Sequence, residues 1–275
     1  MLPRQPFMVK CASTYYKRVI NQYGISHFYR FHQSEDTHQI ETSVPDVCTD
    51  IIFHHDPHRN DLGAYLYGSP LLPHAFEMIP GYYYFGVRFL PGNLPLVTDI
   101  SMAETINQVI PLNNVGKHIN LAELIGQQKS FESQIDMFLN FYKKSLQDQL
   151  NKDKSFGLKK YLINQILNSS GNIRVEDLAD TSGYSVRYVN RMFKAEMGIP
   201  PKKFCKIVRF QKCLSDMCNR LRDSKDLNLG MLSFDLGYAD ESHMIRDFKE
   251  YTNRTPHKFW KELHGFQYLN RLKVV

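Results

Sequence analysis

The chain has no apolar run approaching the roughly 20 residues that a membrane-crossing helix needs, so no bilayer span is expected. Its opening, MLPRQPFMVKCASTYY, carries scattered positive charge but no apolar core ahead of a small-residue cleavage site. That argues against a secretory leader and for a cytoplasmic protein. Cysteines are few: Cys11, Cys48, Cys205, Cys213 and Cys218 form an odd set without CxxC spacing, in a chain of 275 residues that is large enough to need no covalent staples. They read as reduced thiols. Also missing are GxSxG, HExxH, a phosphate-cradling P-loop and a paired-carboxylate pattern, so nothing points to an enzyme. The one His-rich stretch, His54, His55, Asp56 and His58, sets adjacent histidines on opposite faces of a strand, so neither a metal nor another cofactor is expected.

What is present divides the chain in two. Its length suits two domains of about 150 residues each, and the charge is split between them: residues 1–151 hold 11 Lys+Arg against 14 Asp+Glu, residues 152–275 hold 23 against 14. A basic half joined to a slightly acidic one implies an anionic partner for the basic half alone. Residues 1–98 are rich in Tyr, Phe, His, Pro and Gly, with β-type runs at 25–31, 48–55 and 82–90 broken by DPHRNDLG, GSPLLP and PGNLP. In the third run Tyr83, Phe85, Val87 and Phe89 share one face, read as core; Tyr82, Tyr84 and Arg88 share the other, read as partly polar. From about residue 99 the pattern turns helical. Phe131, Ile135, Phe138, Leu139 and Tyr142 form an apolar stripe at spacings of three and four. That stripe is covered either by its own β domain or by a second subunit. The polar stretch 147–157 is the expected linker. The expected fold is α+β, with a β-rich domain over 1–150 and an all-helical domain over 151–275.

Self-comparison finds one pattern twice in the basic half. Leu178, Gly183 and Tyr184 recur as Leu232, Gly237 and Tyr238; Phe193, Lys194, Pro201, Lys203 and Phe204 recur one residue later as Phe248, Lys249, Pro256, Lys258 and Phe259. Each copy reads as a helix-turn-helix, with Gly183 in the first connection, Ser185 capping the first reading helix and Asp240 capping the second. Val186, Val189, Met192 and Phe193 are expected to be buried, leaving Arg187, Asn190, Arg191 and Lys194 outward. In the second copy Met244, Ile245 and Phe248 are expected inside, and Glu241, Ser242, His243, Arg246 and Lys249 outside. Such faces suit base edges and phosphates. Between the copies, residues 200–218 form a breaker-free helix of roughly 28 Å, close to one DNA turn of about 34 Å. Its stripe is Ile207, Phe210, Leu214 and Met217; Lys202, Lys206, Arg209 and Lys212 make a basic side.

The double motif GYS…RMFK…G…P and GYADES…FK…TP resembles the DNA-binding domain of AraC/XylS-type bacterial transcription regulators over about residues 158–263. The resemblance implies double-stranded promoter DNA as partner, contact with RNA polymerase as an activator makes, and base-reading positions at Arg187, Asn190 and Arg191, then Glu241, Ser242, His243 and Arg246. Glu241 departs from the family, where a neutral donor or acceptor is commoner. Residues 43–55, 67–70 and 85–92 resemble the β-rich N-terminal domain of one branch of these regulators. That likeness implies a cupin-like barrel, a small-molecule effector and a homodimer. Arg88 beside Tyr82 and Tyr84 is either an effector contact or a paired structural arginine. Two rival functions stay open: a ligand-independent dimeric regulator, and an enzyme with a DNA-targeting domain.

Overall fold

The computed structural model describes residues 3–10, 12–33, 40–56, 58, 61–95, 100–115, 120–149 and 156–275. Helix α1 (Pro6–Lys10) opens it, followed by β1 (Ala12–Gln22), β2 (Ile25–Gln33), β3 (Ile40–Ser43), β4 (Asp50–Asp56), β5 (Asp61–Tyr67), β6 (His74–Glu77) and β7 (Tyr83–Phe89). Then come α2 (Met102–Thr105), β8 (Val109–Pro111), α3 (Leu121–Gly126) and α4 (Phe131–Gln149). Residues 150–155, which hold the expected domain boundary, lie outside the described residues, as does Cys11. The remainder is helical: α5 (Phe156–Asn168), α6 (Val175–Ser182), α7 (Val186–Met197), α8 (Pro201–Arg222), α9 (Leu229–Asp235), α10 (Glu241–Thr252), α11 (Pro256–Gly265) and α12 (Tyr268–Arg271), closed by a short strand β9 (Leu272–Val274). The fold is α+β. Among the described residues no helix is long and apolar enough to cross a membrane.

The strands pair as a seven-stranded sheet in the order β8-β5-β4-β7-β2-β1-β9, with a separate β3-β6 ribbon. DPHRNDLG, expected to be a break throughout, already starts β5 at Asp61. Gly63 lies opposite His54, where a side chain would run into the imidazole, so the glycine serves close packing within the sheet.

One face of the sheet carries Phe28, Phe53, Phe85, Val87 and Phe89, and α4 covers it with Phe131, Ile135, Phe138 and Tyr142. The Phe138 ring meets Phe28 at 5.7 Å and Phe53 at 6.3 Å edge-on, and Tyr142 meets Phe89 at 5.8 Å. The apolar stripe of α4 is therefore buried on its own domain. The opposite face, expected to be partly polar, is buried as well: Tyr29, Phe31, Ile52, Tyr82 and Tyr84 belong to a cluster that continues into the helical half through Phe204, Phe210 and Phe259. Tyr83, expected in the core, is 39% exposed.

Three contacts tie the halves together. Strand β9 adds to the β1 edge in parallel, Lys17 pairing with Val274, so the chain's own end covers an edge that would otherwise offer open hydrogen-bonding groups. Arg271 Nη1 donates to the carbonyls of Lys10 (2.9 Å) and Ala12 (2.8 Å). On α8, the fully buried Gln211 donates from Nε2 to the Pro45 carbonyl (2.8 Å) and accepts at Oε1 from the Arg4 amide (2.8 Å). A buried amide so matched fixes α8 against the N-terminal segment.

Candidate nucleic-acid interface

Both helix-turn-helix units form where the repeat lies, for local reasons. Helix α6 ends at Gly183, whose φ of +74° belongs to the left-handed region that favours glycine, and Ser185 Oγ accepts from the Tyr188 amide to start α7. The second unit repeats this: Gly237 has φ +68°, and Asp240 accepts from the His243 amide at 2.7 Å to start α10. Helix α8 runs 22 residues, about 33 Å at 1.5 Å per residue, and carries both units: Phe204 meets Phe193 of α7, and Phe210 meets Phe248 of α10.

On α7, Val189 and Phe193 are buried, Met192 is half-buried and Val186 is exposed at 38%. The stripe thus starts one turn later than its spacing suggests: Val186 occupies the first helical position, next to the exposed cap residue Ser185. Arg187, Arg191 and Lys194 are exposed; Asn190 is half-buried and donates Nδ2–H to the Val186 carbonyl at 2.9 Å. The Arg191 guanidinium lies 5.4 Å from the Tyr188 ring centre, and Tyr188 stacks on Tyr184 at 4.8 Å. This aromatic platform is not among the expected base-reading positions; Tyr184 and Tyr188 at i, i+4 are its signal in the sequence.

Helix α10 exposes Glu241, Ser242, Arg246 and Lys249, and buries Met244 and Phe248. Ile245, expected inside, is half-buried. His243, expected outside, is also half-buried: its ring lies edge-on to Tyr238 at 5.3 Å, and Nε2 is 3.9 Å from Asp247. Buried Asp247 pairs with Lys206 of α8 at 3.0 Å, and Glu250 pairs with Lys203 at 2.7 Å. The basic side of α8 is correspondingly engaged within the protein. Lys206 binds α10, Lys212 binds Asp216 at 2.5 Å, and Arg209 donates to the Gly171 carbonyl while stacking over Tyr238. Only Lys202 of that group is exposed. The Lys203 and Lys206 pairs hold α10 in register on α8, and Arg187, Arg191 and Lys194 of α7 with Arg246 and Lys249 of α10 stay open to an anionic partner.

The N-terminal half holds a cavity of about 260 Å³ between the sheet and the β3-β6 ribbon, lined by Asp46, Asp50, Arg88, Tyr67, Ile52 and Met78 among others. Arg88 donates from Nε to both Asp50 oxygens (2.9 and 3.1 Å), from Nη2 to Asp50 Oδ2, and from Nη1 to Asp46 Oδ2 (2.9 Å). Burial pushes the Asp46 carboxyl up and the Arg88 cation opposes that shift. Of the residues grouped with Arg88, Tyr82 donates its hydroxyl to Asp61 at 2.6 Å, and Tyr84 accepts from the Ile79 amide at 2.8 Å. The three do not converge on one cavity. Among the described residues no group of three or more His, Cys, Asp and Glu is placed to hold a metal ion; His54 instead packs on Tyr65, and burial lowers its pKa. Cys48, Cys205, Cys213 and Cys218 are free and buried, and burial raises each thiol, Cys205 to about 11.

Lys17 of β1 is only 7% exposed, on the far side of Arg88. Burial, with Arg4 and Arg88 near, pulls its ammonium down to about 7. An unfolded lysine titrates near 10.4. Between those values the unfolded chain binds the extra proton, so stability rises from pH 7 towards about pH 10, and the burial penalty is fully present below 7. Lys17→Met is expected to stabilise the protein by about 1–4 kcal/mol near neutrality. Urea unfolding should show the gap to wild type narrowing by about pH 10; a gap constant with pH would refute the charge penalty.

Two capped helix-turn-helix units on one spacer helix, each presenting a polar, cation-bearing face, define a double-headed DNA-binding protein. Residues 178–262 match the family described as Helix-turn-helix domain, and residues 22–111 match Domain of unknown function (DUF6597). The uncharacterized HTH-type transcriptional regulator YdeC of Bacillus subtilis (strain 168) is 28% identical over 235 residues, covering 82% of this chain and 72% of that protein. ToxT from Vibrio cholerae matches with a TM-score of 0.46 at 10% identity, covering 85% of this chain and 96% of its own; another ToxT structure is bound to an unsaturated fatty acid. The C-terminal domain of AraT, a response regulator from Geobacillus stearothermophilus, is 19% identical with a TM-score of 0.36, over 40% of this chain and 88% of that one. Residues 178–262 thus form a helix-turn-helix domain, and the proteins named here that the chain resembles are regulators rather than enzymes.

Proposed function

We propose that the protein is a sequence-specific regulator whose promoter binding is controlled by a small molecule held in its N-terminal half. The observation that carries this reading is the Gln211 anchor: the segment it grips, Arg4 and Pro45, adjoins Gln5 and Asp46 on the cavity wall. The effector cavity is thereby one residue from the helix that spaces the two DNA-reading units. On DNA, Arg187, Asn190 and Arg191 of α7 and Ser242, His243 and Arg246 of α10 face base edges, Glu241 accepts from them, and Lys194 and Lys249 face phosphates. Contact with RNA polymerase and pairing of two chains follow from the resemblance. Pairing would use a surface other than the α4 stripe, which the β sheet already occupies. Light scattering at high protein concentration tests it.

Base and phosphate contacts are separable by mutation. With the full chain and promoter fragments in a mobility-shift assay, Arg191→Ala is expected to cost about 1–3 kcal/mol on the specific site and to relax preference at one base position. Lys194→Ala should weaken all sequences alike and flatten the salt dependence. Identical profiles for the two variants would refute the assignment, and binding insensitive to salt would refute DNA recognition by this surface.

A further inference from the structure

We propose that the cavity above the Asp46–Arg88–Asp50 triad binds a small organic cation: a protonated amine carrying a short apolar group. This rests on the effector reading and gives it a ligand class. The cavity, about 260 Å³, lies just below the roughly 300–1,000 Å³ usual for ligand sites, which restricts it to a small ligand. Its wall holds three carboxylates, Asp46, Asp50 and Glu77, against one guanidinium, Arg88. That guanidinium already serves both aspartates, since Nε and Nη2 donate to Asp50 and Nη1 donates to Asp46. The triad is two aspartates and one arginine at side-chain exposures of 2%, 8% and 5%, so its carboxylates outnumber the cation that pairs with them, an arrangement that a second cation relieves. Arg4 and Lys17 do not supply it, because they line a separate cavity of about 20 Å³ behind Arg88. A carboxylate entering instead would meet the like charges of Asp46, Asp50 and Glu77. Met8, Ile52, Tyr67, Phe76 and Met78 complete the wall with apolar surface for the rest of the ligand.

The same residues connect an occupant to DNA binding. Gln5 donates to Asp46 Oδ2 at 2.8 Å and to the Val44 carbonyl, and its neighbour Arg4 is held through its backbone by Gln211 of α8. An amine drawing on Asp46 alters the acceptor that Gln5 shares.

The test uses the full chain with three probes of one size, phenethylammonium, 2-phenylethanol and phenylacetate, in calorimetry and thermal-shift assays, followed by DNA mobility shifts with each probe. Phenethylammonium is expected to bind at least about tenfold more tightly than the alcohol, with no binding by phenylacetate. Asp50→Asn should abolish that preference; if it fails to fold, Glu77→Gln at the exposed rim should reduce it. Ala75→Trp, on the exposed strand β6, should block binding while circular dichroism stays that of wild type. Equal or tighter binding of the alcohol or the carboxylate overturns the cation class and leaves the effector reading standing. No binding by any probe overturns the cation site. Phenethylammonium binding that leaves DNA affinity unchanged upholds the cation site and overturns the effector reading.

Discussion

Replacing Phe138 by Glu is expected to unfold the N-terminal half rather than to separate a dimer. Phe138 is fully buried, between Phe28 and Phe53 on the sheet and stacked on Tyr142 along α4 at 5.6 Å. Truncating such a ring costs about 3–5 kcal/mol. A glutamate adds a carboxylate with no cation among its neighbours in that aromatic cluster, which brings the total near the whole stability of an ordinary domain, about 5–15 kcal/mol. Circular dichroism with size-exclusion light scattering checks it: loss of strand signal and aggregation are expected. A folded monomer derived from a wild-type dimer would show instead that α4 packs against a second chain.

Arg88→Met is expected to destabilise by about 3–5 kcal/mol, because removing one partner of a buried ion pair leaves uncompensated charge, here on two carboxylates. Asp46 would keep the Cys48 amide, Ser69 and Gln5 as donors, whereas Asp50 would lose every hydrogen bond it makes to Arg88. Arg88→Lys should recover only part of the loss, since an ammonium cannot reproduce the fork that reaches both acids. Adding Asp50→Leu to Arg88→Met should recover more than the lysine does, because it removes an orphaned charge. Urea unfolding of the three variants checks the order. A cost below about 1 kcal/mol for Arg88→Met would mean that the triad is solvated.

The helix-turn-helix units were legible because their determinants are local. Gly183 and Gly237 at positive φ, the Ser185 and Asp240 caps, and the 3.6-residue spacing of Val189, Phe193, Met244 and Phe248 all act within a few residues. The buried stripe of α8, Ile207, Phe210, Leu214 and Met217, was legible for the same reason. The basic side of α8 was not, because periodicity identifies a face and says nothing of what packs on it; Lys203 and Lys206 meet Glu250 and Asp247 of a helix some 40 residues further on. His243 and Ile245 likewise stand on the rim of α10, where a shift of a few degrees in helix rotation separates exposed from half-buried.

The sequence by itself determined two helix-turn-helix units and a β-rich partner half, since helix caps, turns and apolar periodicity operate over short distances. Only the tertiary structure decided the use of what remained. The alternation along β7 was plain, yet both faces are buried, because the helical half lies on the side that carries Tyr84 and Arg88. Asp46 and Asp50 became partners of Arg88 through strand pairing across about 40 positions, and β9 found the β1 edge across more than 250. Such pairings depend on loop closure and on the shape of the assembled core, which no local pattern encodes.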